Sequence, residues 1–210
     1  GVIPYSLYER MQRGGPWFKY VRQSAPLVVG DSYKQYRLIG TLPRLFGFAD
    51  DGTTALESGA FEAHLGQPYR LVAGKSFAAN KFEAVIGSDV AETSGLKIGD
   101  IFQATHGLPN ASEVPDIHPE KWTVVGILAP THTANDRVIF MPIQSLFAIA
   151  EHEEGIEKIQ ANRDKEDGKV EAAGHQHGNH GDSDEKGYTM NADGTFNLKL
   201  PKDEWLLSAI

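Results

Sequence analysis

The sequence predicts an α+β fold, a two-lobed mixed domain in which small mixed sheets are flanked by short helices. Three observations lead there. Apolar runs with a strand-like period of two alternate irregularly with short stretches of helical period. Turn pairs suited to hairpins, Asp31-Ser32 and Asp193-Gly194, fall among those runs, which argues against a doubly wound parallel sheet. The chain has 210 residues, 40% of them hydrophobic, and no Cys. At that length roughly 70% of the unfolded surface can be buried, so a core forms without disulfide or metal staples.

Taken along the chain, Pro4 stands at a first helical position and Leu7, Tyr8 and Met11 share a face, predicting a helix over 4–13 that Gly14-Gly15-Pro16 ends. Ala25 to Asp31 and Tyr33 to Gly40 read as two strands joined at Asp31-Ser32. Leu56 to Leu65 has helical period and ends at Gln67-Pro68, whereas Arg70 to Ala73 reads as a short strand. Glu83 to Gly87 is a strand leading to a Ser88 N-cap and a helix over 88–94, broken at Gly95. Ile101 to Thr105 is a further strand, and a polar loop from Gly107 to Glu120 precedes Trp122 to Leu128, the clearest strand in the chain. Asn135-Asp136 turns into the strand Arg137 to Met141, and Pro142 opens a helix to about Glu151. Tyr188 to Ala192 and Thr195 to Leu200 form a hairpin about Asp193-Gly194, and Trp205 to Ile210 begins an apolar run. A chain that stops inside such a run reads as a piece of something longer.

Charge divides the chain unevenly. The net charge is −8, from 20 basic and 28 acidic residues. Between Glu151 and Asp193 stand 12 acidic and 5 basic residues, which leaves 16 and 15 for the rest. The body is therefore nearly neutral, and a surface that tracks nucleic-acid phosphates is excluded as the basis of function. No apolar run approaches the roughly 20 residues that span a bilayer, so the piece reads as soluble. Residues 153–186, which contain GHQHGNHGDSDEKG, are too polar to offset the cost of ordering and read as a disordered, His-rich acidic insert. The folded domain is thereby expected from 1–152 and 187–210.

Within that insert His175, His177 and His180, followed by Asp182 and Asp184, are the candidate metal ligands. Neutral imidazoles with carboxylates nearby suit Zn²⁺ or another divalent transition metal, and a bendable loop can gather them. The composition equally describes a solvated loop with incidental His, which is the preferred reading. Binding there is expected to be weak, and nothing in the sequence requires a cofactor. His106, His118 and His132 lie near strand ends and read as surface or hydrogen-bonded side chains rather than ligands. Asp136-Arg137 reads as a turn-forming Asp beside a strand-edge Arg.

Catalytic signatures fail one by one. Gly74-Lys75-Ser76 ends like a phosphate loop, but Tyr69 occupies the place of the first Gly. No G-x-S-x-G elbow occurs. His152-Glu153-Glu154 has Ile156 where a metalloprotease helix carries its second His. Asn110-Ala-Ser112 matches a glycosylation sequon, a pattern of low specificity. A non-enzymatic protein is expected.

Several stretches, in order, resemble the periplasmic core domain of MacB-like and FtsX-like ABC-transporter permeases: GVIPYSLYERM, GDSYKQYRLIGTLP over 30–43, LVAGKSF, EAVIGSDVAETSGLKIGD over 83–100, and WTVVGILAPTHTANDRVIFMPI over 122–143. They are spread over residues 1–143. The resemblance implies a domain on the extracytoplasmic face of the bacterial inner membrane, between two transmembrane helices of a permease. It implies a permease dimer, a cytoplasmic ABC ATPase as partner through the missing transmembrane part, and contact with a periplasmic partner or substrate. The His-rich insert departs from the family pattern.

Overall fold

The computed structural model describes residues 2–106, 117–149 and 186–210. Seven strands form its main sheet: β2 (Val28–Tyr33), β3 (Tyr36–Thr41), β6 (Leu71–Gly74), β7 (Glu83–Ile86), β8 (Ile101–Phe102), β9 (Trp122–Leu128) and β10 (Val138–Pro142). Their order is β2-β3-β10-β7-β9-β6, with β8 also on β9. The pairs β10/β3 and β7/β9 are parallel, and β2/β3, β10/β7, β6/β9 and β8/β9 are antiparallel. That mixture, with three short helices, makes the fold α+β, as the irregular alternation of periods predicted. The helices are α1 (Tyr5–Met11), α2 (Ser88–Ser94) and α3 (Ile143–Ile149).

Period-two alternation, interrupted in β9 by a bulge at Val125, sorts the central strands between two cores. Leu38, Ala84, Ile86, Trp122, Val124, Ile139 and Met141 face one side, where Val90 of α2 and Leu146 and Ile149 of α3 cover them. Val85, Val125, Leu128 and Phe140 face the other, against Leu45, Phe46, Tyr69 and Phe77. Phe46 meets Tyr69, Phe77 and Phe140 edge-on at 5.5–5.8 Å between ring centres, the arrangement that aromatic quadrupoles favour. With both faces covered, these strands read as continuous apolar runs.

The sheet also curls back on itself. Beyond β8 the chain leaves β9 and turns to β2, where Ser32 and Thr105 exchange backbone hydrogen bonds of 3.0 and 2.8 Å. Strands β2, β3, β10, β7, β9 and β8 thus run round the first core and meet at a seam. This change of partner is why the strand expected over 101–105 ends at Phe102. The two ends of the chain pair directly: β1 (Ile3–Pro4) lies antiparallel to β13 (Leu206–Leu207), and Tyr5 and Tyr8 pack with Trp205 and Leu207. Two small antiparallel pairs complete the fold, β4 (Glu62–His64) with β5 (Gln67–Pro68), and β11 (Tyr188–Met190) with β12 (Phe196–Leu198), the latter turning at Asp193-Gly194 as expected.

Local expectations fail where tertiary contacts supply better partners. The helix expected over 56–65 is replaced by turns and β4, since Phe61 N–H bonds Leu45 C=O and Phe61 C=O accepts from Tyr69 N–H. Phe61 and Ala63 thereby join the second core, while Glu62 pairs with Arg22 at 2.7 Å. The β2–β3 turn falls at Lys34-Gln35 rather than Asp31-Ser32: Lys34 takes φ 52°, and Asp31 and Ser32 are buried strand residues. Gly87, not Ser88, caps α2, and Pro142 closes β10 rather than opening α3. Apart from Lys186, the insert over 153–186 lies outside the described residues.

Asp136 organises the approach to β10. Its carboxylate accepts from Thr131 N–H (2.8 Å), the Thr131 hydroxyl (2.7 Å) and His132 N–H (2.7 Å), holding His132 at φ 56°. Burial pushes the Asp136 pKa up, but these donors outweigh it and hold the group below its ordinary 3.8. A depressed folded pKa stabilises the protein above the unfolded value, and that contribution is lost as pH falls through the folded one. Asp136→Ala should therefore cost about 3 kcal/mol at pH 7, measured by urea unfolding, with the difference from wild type shrinking below pH 3.8. A gap that stays constant down to pH 2 would contradict this account. Arg137 turns away to pair with Asp89 at 3.1 Å, so the turn-forming reading of Asp136-Arg137 is the right one.

Candidate functional site

The seam brings together three side chains that could hold a metal ion: Asp31, His106 and His118. Strand geometry explains the convergence. Ser32 opposes Thr105, so Asp31 stands across from His106. Thr105 in turn opposes Ile117, and His118 N–H bonds Ala104 C=O at 2.9 Å, which sets His118 across from Ala104. Residues 104 and 106 point to the same face of their strand, so Asp31, His106 and His118 share that face. Ala104 is wholly buried, and its single methyl leaves room for the His118 ring to reach past it toward Asp31.

Backbone and side-chain bonds fix the three segments. Gln103 Nε2 donates to His118 C=O at 2.8 Å, and the Thr105 hydroxyl donates to Ser32 C=O at 3.1 Å. His118 Nε2 then lies 2.9 Å from Asp31 Oδ2, and His106 Nδ1 lies 3.6 Å from Asp31 Oδ1. The two imidazole rings are 4.1 Å apart and inclined at 55°. One ligand atom from each residue falls within 4.8 Å of the others. Asp31 and His118 are buried at 3% and 7% exposure, while the His106 side chain is 40% exposed.

The donor set and spacing suit a transition metal. Metal–nitrogen and metal–oxygen bonds of about 2.0–2.2 Å in a tetrahedron place ligand atoms about 3.4 Å from one another. The observed separations bracket that value, so small side-chain rotations bring the three atoms to bonding distance. Two imidazoles and one carboxylate fit Zn²⁺ and its first-row neighbours better than Ca²⁺ or Mg²⁺, which take oxygen ligands.

His106 and His118, which the sequence places near strand ends as surface or hydrogen-bonded side chains, thus meet at Asp31. His132 does stand apart, in the loop held by Asp136. The expected ligands His175, His177, His180, Asp182 and Asp184 lie outside the described residues. Nothing local marks Asp31 as a partner of either His: it reads as a turn residue, and only the long-range pairing of Ser32 with Thr105 delivers it. A weak signal was present in the two His themselves, each placed next to a strand-like stretch at opposite ends of one loop.

The phosphate-loop remnant is a structural feature. Gly74 ends β6, no helix follows it, and Lys75 pairs with Glu83 at 3.1 Å. No helix among the described residues is long and apolar enough to cross a membrane. Compared with known proteins, the chain matches no protein-family model and no curated protein.

Proposed function

We propose that this chain is a non-catalytic extracytoplasmic domain of an ABC-transporter permease of the MacB-like and FtsX-like kind. It receives or transmits conformational change and contacts a periplasmic partner or substrate, while a cytoplasmic ATPase supplies the energy and a second permease copy completes a dimer. The observation that supports this reading most is that the stretches carrying the resemblance, far apart in the chain, meet in one sheet. These stretches supply most of β2, all of β3, β6, β7, β9 and β10, and α2 beside the sheet. On this reading no cofactor is required, and a weak Zn²⁺ or other divalent transition metal on the His-rich insert is accessory.

The 210 residues contain no Cys, so with any Cys elsewhere in the gene product replaced, a Cys at the exposed Val72 is a clean probe of location and movement. In the intact gene product in bacterial cells, a membrane-impermeant maleimide should label Val72→Cys without lysis. Spin labels at the same site in a purified permease dimer should change separation when ATP is added. Labelling only after lysis, or a separation indifferent to ATP, would refute the proposal.

A further inference from the structure

The seam at Asp31, His106 and His118 does more than close the sheet. We propose that these three residues form a binding site for a divalent first-row transition ion, Zn²⁺ foremost, which clips β2 to the segments at 103–106 and 117–118. None of the three residues belongs to the His-rich insert.

The His118 ring is more than nine-tenths buried, and its Nε2 makes no hydrogen bond of acceptable geometry although Asp31 Oδ2 is only 2.9 Å away. A buried imidazole nitrogen ordinarily has a partner aligned with it, because desolvation without one costs about 1–3 kcal/mol. In the tautomer that turns the Nε2 lone pair toward Asp31, nitrogen and carboxylate oxygen at 2.9 Å repel each other unless positive charge lies beside them. A cation placed off the line joining the two atoms meets both requirements and leaves each ligand its own direction of approach. His106 supplies the third ligand from the solvent side, and its exposure provides the entry path.

Ligand softness selects the ion. Two imidazoles and a carboxylate, with no thiolate in a chain that lacks Cys, are ligands for Zn²⁺, Ni²⁺, Co²⁺ or Cu²⁺. The described residues supply three ligands, and a tetrahedral ion takes a fourth. The mechanical consequence follows from where the ligands sit. Asp31 belongs to β2, an end strand of the sheet, and the other two stand beyond β8 and just before β9. An ion bound there joins the two ends of the curled sheet, at a place otherwise closed by Ser32 with Thr105.

The test separates this site from the insert. In the full 210-residue chain, His175, His177 and His180 are first replaced by Gln, and Zn²⁺ alone is titrated by calorimetry. One ion per chain should bind, with Co²⁺ giving the visible absorption of a low-coordinate site and Ca²⁺ and Mg²⁺ giving no comparable heat. His118→Gln and Asp31→Asn should each lower Zn²⁺ affinity by ~100-fold or more, and His106→Ala by ~10-fold or more. Zn²⁺ should raise the melting temperature of the parent and not that of His118→Gln. Should the buried variants fail to fold, His106→Ala decides the matter, since its side chain is partly exposed and its substitution leaves the core intact. Undiminished Zn²⁺ affinity in His106→Ala, or no Zn²⁺ binding once the three insert His are gone, would overturn the proposal.

Discussion

Trp122→Ala should destabilise the domain by about 3–5 kcal/mol, a large share of the roughly 5–15 kcal/mol that holds a domain of this kind together. The indole is completely buried where β8, β9 and α3 come together. It packs against Phe82 edge-on at 5.3 Å and stacks on Phe102 at 6.0 Å. Its Nε1–H donates to Ser145 Oγ at 3.2 Å, and the Ser145 hydroxyl donates onward to Pro142 C=O at 2.8 Å. Truncation therefore removes the transfer free energy of the ring, leaves a cavity between strands and helix, and strips Ser145 of a donor. Trp122→Phe should recover more than half of the loss, since the ring contacts return and only the hydrogen bond is missing. Urea unfolding followed by far-UV circular dichroism measures both. A loss below 1 kcal/mol for Trp122→Ala would mean that the first core does not carry the fold.

Gly74→Ala should cost about 2–4 kcal/mol, for a reason that lies in the backbone. Gly74 and Gly126 oppose each other where β6 meets β9, and Lys75 N–H bonds Val125 C=O at 2.9 Å. Gly74 has φ 76°, and a Cβ built there would stand 2.1 Å from Val125 O and 3.0 Å from Gly126 Cα. Neither backbone atom can retreat without breaking the ladder. Gly66→Ala is the control: φ is 77°, but nothing lies within 4 Å of the added methyl. It should cost only the left-handed strain, about 1 kcal/mol. Equal losses at the two positions, read from paired thermal melts, would show that close approach of the strands contributes nothing.

The elements that proved legible are those whose own residues, by composition and period, suit one kind of element whatever their partners. Trp122 to Leu128, with Thr123 its one polar residue, and Val138 to Met141 are apolar because both faces of their strands are covered, and their β-branched residues suit no other element so well. The helix at Tyr5–Met11 follows from Pro4 and one apolar face, and Gly95 ends α2 in the left-handed conformation that a side chain resists. The segment over 56–65 misleads because its helical period is real but weak, while Leu45 and Tyr69 offer its backbone hydrogen bonds from outside the segment. Asp31-Ser32 misleads in the same way, since a good turn pair is also a pair of polar side chains that a buried seam can satisfy.

Composition and local pattern by themselves determined that this chain is an α+β domain with a nearly neutral body, a charged insert and strands at the places where apolar alternation is strongest. Tertiary structure alone decided that the sheet curls and closes, that the chain ends pair, and that Asp31 meets His106 and His118. The physical reason is range. Periodicity, caps and turns act through contacts a few residues apart, whereas Ser32 meets Thr105 across 73 residues of chain, and that pairing is chosen by how the whole sheet buries its two faces.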